Sequence, residues 1–385
     1  MLKNVTDTVF YVGVDDKDID LFENQYIVPN GIAYNSYVIM DEKIAIMDMV
    51  DAKCADQWFA NVAEVLGDRQ PDYLIISHLE PDHSANLGDV LAKYPDIKIV
   101  SNAKLFAMLP NFFEVPVADR SVTVAEGQTL SLGSHTLQFF MAPMVHWPEV
   151  MVTYEQSEKI LFSADAFGKF GTLDTDEDWA CEARRYYFNI VGKYGMPAQA
   201  LLKKAAGLDI QKICALHGPI LTENLEYYIG KYQLWSTYTP EDEGIFIAYC
   251  SLHGNTEKAA KKLAEILEAK GAPKVAILDL SRDDIAECIE DAFRYDRLVL
   301  AAPTYDGGVM PVMADFINHL KMKAYQKRKV AFIENGSWAP MAAKLMKEQM
   351  AAMKDIEIVD EHVTIRSAFK QSDVAALEAL AGKLL

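Results

Sequence analysis

Between Ile76 and Gly88 the chain reads ISHLEPDHSANLG, which sets His78, Glu80, Asp82 and His83 within six residues. The stretch follows directly on the apolar run Tyr73-Leu74-Ile75-Ile76, so a strand delivers four potential metal-binding side chains to a loop. Side chains two apart share a face of an extended chain. That alternation sends His78, Glu80 and Asp82 to one side, and a turn at Pro81 lets His83 join them. The plain alternative is a polar loop that caps the strand, with Asp82 or Ser84 as N-cap of the next helix. Solvated loops rarely concentrate imidazoles among carboxylates, however, and four such groups in six positions read as one side of a metal cage.

If this loop starts a metal site, later strand ends should complete it. His146 follows FFMAPMV, Asp165 follows KILFSA and His217 follows ICAL, so each stands where an apolar run stops. Taken singly, each is read as readily as a hydrogen-bonded strand-end histidine or a turn aspartate. Together they stand apart, because four of the eight histidines fall into this one pattern while His135, His253, His319 and His362 do not. The expected sets are His78, Glu80, His146 and Asp165 around one ion and Asp82, His83 and His217 around another, with Asp165 placed to bridge. Nitrogen and carboxylate donors without thiolate suit first-row metals such as iron, manganese or zinc. Two ions sharing a carboxylate can hold two small molecules, or both ends of one, side by side.

A chain of 385 residues, 51% hydrophobic and 24% charged, is long enough for two cores. Two domains are expected, 1–240 and 244–385. Between them the acidic, Pro- and Gly-punctuated run Tyr238–Gly244 (YTPEDEG) reads as a linker. No apolar run approaches the ~20 residues that span a bilayer, and MLKNVTDTVFYVGVDD has acidic residues where a signal peptide has its apolar core. A cytoplasmic protein is expected. The formal charge of −19 argues against nucleic acid or an anionic membrane as partner. The cysteines Cys54, Cys181, Cys214, Cys250 and Cys288 are scattered without a C-x-x-C pair, which leaves no disulfide framework and no cysteine-bound iron or zinc site.

Short β runs fill the first half: FYVGV, YNSYVIM, KIAIMDM, YLIISH, IKIVS, SVTVAEG, TLQFFMA and MVTYE. Helical periodicity interrupts them at Ala52–Leu66, Gly88–Lys93 and Lys104–Leu109, which predicts a β-rich α/β layer. From Trp179 to Ala206 the pattern is helical. Beyond Gly244 strands and helices alternate: strands at Ile245–Tyr249, Val275–Leu280, Leu298–Ala302, Val330–Ile333 and Ile356–Val363, each followed by a helix. That alternation predicts a doubly wound parallel five-stranded sheet.

Three loops at the carboxyl ends of those strands share a chemistry. Ser251, Leu252, His253, Gly254, Asn255 and Thr256 lead from the first strand into a helix, whose N-terminal N–H groups favour a phosphate. The alternative is a Ser/Thr helix cap with a tight turn. Neither G-x-x-x-x-G-K-[ST] nor G-x-G-x-x-G is present, so a monophosphate fits better than a triphosphate or dinucleotide. The third strand ends in Pro303, Thr304, Tyr305, Asp306, Gly307 and Gly308. The fourth ends in Glu334 followed by Asn335, Gly336, Ser337 and Trp338. In an open parallel sheet ligands bind at this edge, the glycines admit a close approach, and Tyr305 or Trp338 can lie against an aromatic ring.

The order H-x-E-x-D-H, then His, Asp and His at strand ends, resembles the metallo-β-lactamase fold, whose usual first motif is H-x-H-x-D-H. Glu80 stands where that motif has histidine. An anionic oxygen donor there makes the ligand set more negative and favours ferric iron over a site tuned for zinc-bound hydroxide. Within that superfamily the glutamate, together with YNSYVI (34–39), HWPE (146–149), SADAFGKFG (163–171) and LHGP (216–219), is similar to the flavodiiron proteins. The three later loops resemble the FMN site of flavodoxins. The resemblance implies an α/β chain made of an N-terminal metallo-β-lactamase-like αββα domain and a C-terminal flavodoxin-like domain. It also implies FMN and two non-haem iron ions as cofactors, and an oxidoreductase that reduces O2 to water, NO to N2O, or both. It further implies rubredoxin or a similar external electron donor, and a head-to-tail homodimer that brings FMN of one chain to iron of the other. A zinc hydrolase would leave the second half idle, and a plain electron carrier would leave seven metal-binding residues unused.

Overall fold

The short β runs of the first half sort into two sheets in a computed structural model that describes residues 4–385. Met1–Lys3, at the start of the amino-terminal stretch read above, lie outside the described residues. One sheet has the strand order Val9–Tyr11, Tyr37–Ile39, Ala45–Met47, Tyr73–Ile75, Lys98–Asn102, Ser121–Val124. Its first three strands are antiparallel and its later ones parallel. The other runs Thr129–Ser131, Thr136–Met141, Met151–Glu155, Ile160–Phe162, Lys212–Cys214, with only the last pair parallel. Alternate residues of the two sheets meet in one core, where Ile39, Met47, Ile75 and Val100 join Leu137, Phe139, Met151 and Phe162. Tyr37–Ile39, Ala45–Met47, Met151–Glu155 and Ile160–Phe162 are buried at every position, so these central strands are covered on both faces and read as near-continuous apolar runs.

Register fixes where the loops emerge. Met47, Ile75 and Val100 lie in one row across the first sheet, and Phe162 pairs with Cys214 in the second. The segments that carry Asp48, His78, Asp165 and His217 therefore leave the carboxyl ends of their strands. Helices fit their expected places closely. Ala55–Leu66 follows a 3-10 turn capped by Asp51 and buries Trp58, Val62 and Leu66. Leu87–Lys93 buries Leu87, Val90 and Leu91, and Ala103–Met108 is capped by Asn102.

The second half forms a parallel sheet in the order Val275–Asp279, Asp242–Tyr249, Tyr295–Tyr305, Lys329–Asn335, followed by a broken fifth strand. In sequence terms that order is 2-1-3-4-5, with its topological switch beside the first strand. Helices Asn255–Ala269 and Val374–Leu384 bury Leu263, Leu267, Leu377 and Leu380 against Ile245, Ile247, Val299 and Ile333. The described residues form two units, 4–187 with Met196–Gln233, and Phe188–Gly195 with Leu234–Leu385.

Three elements differ from their sequence reading. The helix expected from Trp179 to Ala206 is broken: Trp179–Tyr186 runs into a π-helical turn at Tyr187–Val191, and a new helix starts at Gly195. Gly192, with φ of 37°, permits the break. The strand expected at Ile356–Val363 splits into Glu357–Ile358 and Val363–Ile365. Between the pairs Val330–Ile358 and Ile333–Val363 the partner strand advances three residues and this one five, so two residues are forced out of the ladder. The run read as a linker ends inside a strand, because Asp242–Gly244 open Asp242–Tyr249 and Asp242 accepts from Arg294 Nε at 2.7 Å.

Candidate metal centre and cofactor cavity

Strand Tyr73–Ile75 stops before His78, and Pro81 opens a helical turn, Pro81–Ser84, with Glu80 as its N-cap. Extended alternation does not place these side chains: His78 and Glu80 come from irregular chain, while Asp82 and His83 project from the turn. Ser84 is not a cap, since the next helix starts behind Asn86. Hydrogen bonds pin this loop from below. The Ser77 N–H and hydroxyl both donate to Asp48 at 2.7 Å, Ser84 Oγ donates to the Leu79 carbonyl, and the Leu79 N–H donates to Glu149 Oε1 at 3.0 Å.

All seven expected residues converge in two groups. In the first, His146 Nε2 lies 2.9 Å from Glu80 Oε2 and 3.1 Å from Asp165 Oδ2. There His78 Nε2 lies 3.2 Å from Asp165 Oδ2 and 3.7 Å from Glu80 Oε2. In the second, Asp82 Oδ2 lies 3.2 Å from His217 Nε2 and 3.6 Å from His83 Nε2. The other Asp165 oxygen faces His217 at 3.7 Å, so this carboxylate stands between the groups. Donors about 2.1 Å from a shared ion sit roughly 3.0–3.4 Å from one another. The separations of 2.9–3.2 Å match that spacing, and those of 3.6–3.7 Å are a few tenths of an ångström wider.

The nitrogen chemistry tests the fit. His83 Nδ1 is 3.0 Å from the Met49 carbonyl and His217 Nδ1 is 2.9 Å from the Ala33 carbonyl. A carbonyl only accepts, so each Nδ1 carries a proton, and in the neutral ring that a metal requires each Nε2 presents a lone pair. Those two Nε2 atoms face each other at 3.3 Å. Two lone pairs in that geometry repel unless a proton or a metal ion lies between them. Burial opposes charge on His217, but Asp82 outweighs it and raises the His217 pKa, so the gap is one that takes a cation. Both Asp165 oxygens, Asp82 Oδ1 and both His78 nitrogens are buried without a hydrogen bond, a costly arrangement that metal coordination resolves. Titration agrees. Burial lowers His83 to about 4, keeping it neutral. Burial also opposes charge on His78, but Asp165, Asp82 and Glu80 outweigh it and push it up to about 10. A cluster richer in carboxylate than in fixed positive charge takes up whatever cation is at hand.

Aromatic rings wall the second group: Phe22, Tyr34 and Tyr186 lie 5.4–5.9 Å from the His217 ring. A cavity of ≈ 270 Å³ lined by Leu21, Phe22, Glu23, Tyr34, Glu80 and Asp82 opens beside it. Sequence reasoning missed the supports. Asn35, fully buried, donates from Nδ2 to the carbonyls of Ala215 and Gly218 at 2.8 and 2.7 Å and so holds the His217 loop. Asp48, lifted to about 6 by burial against the Ser77 bonds, holds the His78 loop. Neither has a spacing that marks it. Asp48 has a φ of 54°, visible only once the backbone is known.

In the second unit a cavity of ≈ 450 Å³ is lined by Ser251, Leu252, His253, Asn255 and Thr256, by Pro303 and Thr304, and by Asn335, Gly336, Ser337 and Trp338. An adjoining cavity of ≈ 280 Å³ adds Asp306 and Gly307. Tyr305 and Gly308 pair across a small hairpin, with Tyr305 exposed. Helix Asn255–Ala269 has Gly254 as N-cap at φ 77° and no side-chain capping bond, so the Ser/Thr-cap alternative fails and the first N–H groups face the cavity unpaired by a side chain. Ser251 Oγ is shielded and without a hydrogen bond. A bare helix N-terminus with a spare hydroxyl donor fits a phosphate group. Ser367 and Ala368 also line the cavity, a contribution the sequence reading did not include. Among the described residues no helix is long and apolar enough to cross a membrane, and all five cysteines are free thiols.

Comparison with known proteins assigns both halves. Residues 32–218 match the family described as ODP family beta lactamase, and residues 246–375 match a flavodoxin domain family. The chain is 29% identical over 373 residues to a nitric oxide reductase of Moorella thermoacetica, covering 93% of this chain and 91% of that one. Among solved structures it superposes on rubredoxin oxygen:oxidoreductase from Desulfovibrio gigas with a TM-score of 0.93 at 25% identity, over 100% of this chain and 98% of that one. The flavodiiron protein of Giardia intestinalis shares the fold, with a TM-score of 0.94 at 23% identity and coverage of 100% and 96%.

Proposed function

We propose that this chain, which belongs to the flavodiiron proteins, reduces dioxygen to water, nitric oxide to nitrous oxide, or both, with electrons carried from FMN to two non-haem iron ions. The observation that carries the reading is the pair of donor groups sharing Asp165, with a carboxylate, Glu80, in the first of them. We assign His78, Glu80, His146 and Asp165 to one iron and Asp82, His83 and His217 to the other, with Asp165 common to both. Ser251–Thr256 would hold the FMN phosphate, and the loops Pro303–Gly308 and Asn335–Trp338 would flank its ring. When bound, the flavin supplies single electrons and the iron pair supplies the redox centre at which the gas is reduced.

The chain's own residues do the rest. Met49 and Ala33 fix the tautomers of His83 and His217, so both present a lone pair inward. Phe22, Tyr34 and Tyr186 exclude bulk water from the His217 side, which suits small uncharged diatomics. Asn35 and Asp48 hold the two ligand-bearing loops in register.

Two finer readings accompany this one. Electrons enter from rubredoxin or a similar external donor. Two chains pair head to tail, supported by the rim of the cofactor cavity, where Trp338 is 84%, Leu252 45% and Tyr305 44% exposed. Free, mostly buried thiols suit the cytoplasm. The test is composition with turnover. Two irons and one FMN per chain are expected, and Glu80→Ala or His146→Ala should abolish gas reduction while FMN stays bound. Zinc in place of iron, or unchanged turnover in those variants, rejects the assignment.

A further inference from the structure

We infer that Arg366–Phe369, the segment after the broken fifth strand, is a fourth wall of the cofactor cavity and grips the polyol-phosphate arm of the flavin. The inference rests on the flavin reading above and adds a binding element to it. Ser367 and Ala368 line the ≈ 450 Å³ cavity together with the three expected loops. Hydrogen bonds tie the segment to two of those loops. Asn335 Nδ2 donates to the Ser367 carbonyl at 2.9 Å, and the Ser367 N–H donates back to Asn335 Oδ1 at 3.1 Å. The Phe369 N–H donates to Asn255 Oδ1 at 3.2 Å, in the first turn of the helix whose N-terminus faces the cavity. The wall therefore runs from the phosphate end to the loop that carries Trp338, along the length of the arm that joins a phosphate to a ring.

Its chemistry suits that arm. Ser367 holds φ of 62°, a left-handed conformation that a serine adopts at a cost and that clusters at ligand sites. Its backbone groups are both taken by Asn335, and its hydroxyl meets that of Ser337 at the cavity wall. Two hydroxyls from separate loops give donors and acceptors without charge, which matches ribityl hydroxyls rather than a flat aromatic ring.

The experiment compares ligands that share the ring but not the arm. Ser367→Gly removes the hydroxyl and, at this φ, relieves strain, so the variant should fold at least as well as the parent. The full chain freed of flavin is titrated with FMN and with lumiflavin, following flavin fluorescence. The expected result is an FMN Kd raised about tenfold, the size of one lost hydrogen bond, with the lumiflavin Kd unchanged. Amide hydrogens of residues 366–369 should also become protected from exchange when FMN, but not lumiflavin, is added to the parent chain. Equal changes for both ligands, no change for either, or no protection would overturn the fourth wall while leaving the flavin site intact. A parent chain that binds no FMN overturns the flavin reading and this inference with it.

Discussion

Asn35→Ala tests how far one buried amide holds the His217 loop. The amide donates at 2.8 and 2.7 Å to the carbonyls of Ala215 and Gly218, which flank Leu216 and His217 in the chain. The Ala215 carbonyl keeps a second donor, Tyr37 Oη at 3.1 Å, so only the Gly218 carbonyl is left dry. The lost bond to Ala215 costs about 1 kcal/mol and the dry Gly218 carbonyl about 1–3 kcal/mol, while Asn35 Oδ1, buried without a partner, returns part of that on removal. The balance is a loss of about 1–3 kcal/mol. The backbone bond from the Asn35 N–H to the Leu216 carbonyl survives, so the loop loosens rather than detaches. With urea slopes of about 1–3 kcal/mol per molar, the unfolding midpoint of the full chain should fall by about 0.5–1.5 M. His217 then loses its fixed aim, and iron affinity should drop about 10–100-fold, as for other groups that orient a ligand. The assay pairs urea unfolding with competitive chelator titration of iron. A variant that unfolds early yet binds iron with parental affinity would refute the link between loop and metal. An unshifted midpoint would refute the hydrogen-bond argument itself.

Two further outcomes follow from named contacts. Burial acts to raise the Asp41 carboxyl, but the His135 N–H and imidazole, the Glu42 N–H and the Ser134 hydroxyl outweigh it and hold it well below the usual carboxylate range. A lowered folded-state value means the stabilisation is fully present above about pH 4 and is lost as pH falls through the folded value. Asp41→Asn should therefore melt earlier than the parent at neutral pH, with the gap closing in strong acid; a gap constant with pH counts against it. Thr304 Oγ1 accepts from the Met341 and Ala342 N–H groups at 2.9 and 3.1 Å, and so caps from outside a helix whose own N-cap residue, Met341, makes no side-chain bond. Thr304→Val should cost about 1 kcal/mol and lower the melting temperature of the flavin-free chain by about 2–4 °C, where an unchanged melt would show the cap to be idle.

Much of this was readable from the chain alone because apolar periodicity survives in the fold. The strand and helix alternation after Gly244 appears as a parallel sheet, and the seven metal-binding candidates meet because the first loop, His146, Asp165 and His217 each follow an apolar run. What failed did so for local reasons. Extended alternation does not reach Asp82, since Pro81 starts a helical turn and the strand has already stopped at Ile75. Ser367 and Ala368 escaped notice because two residues bulge out of the fifth strand, and a single run from Ile356 to Val363 hides the segment that follows. Asn35 and Asp48 escaped because a residue that holds a loop through main-chain contacts has no spacing to betray it.

The acceptors that orient His83 and His217 are the main-chain carbonyls of Met49 and Ala33. A side-chain acceptor disappears with one codon change, whereas every residue type carries a carbonyl. The aim of both rings is therefore written into the path of the backbone. Substitution of Met49 or Ala33 leaves it standing as long as that path is kept.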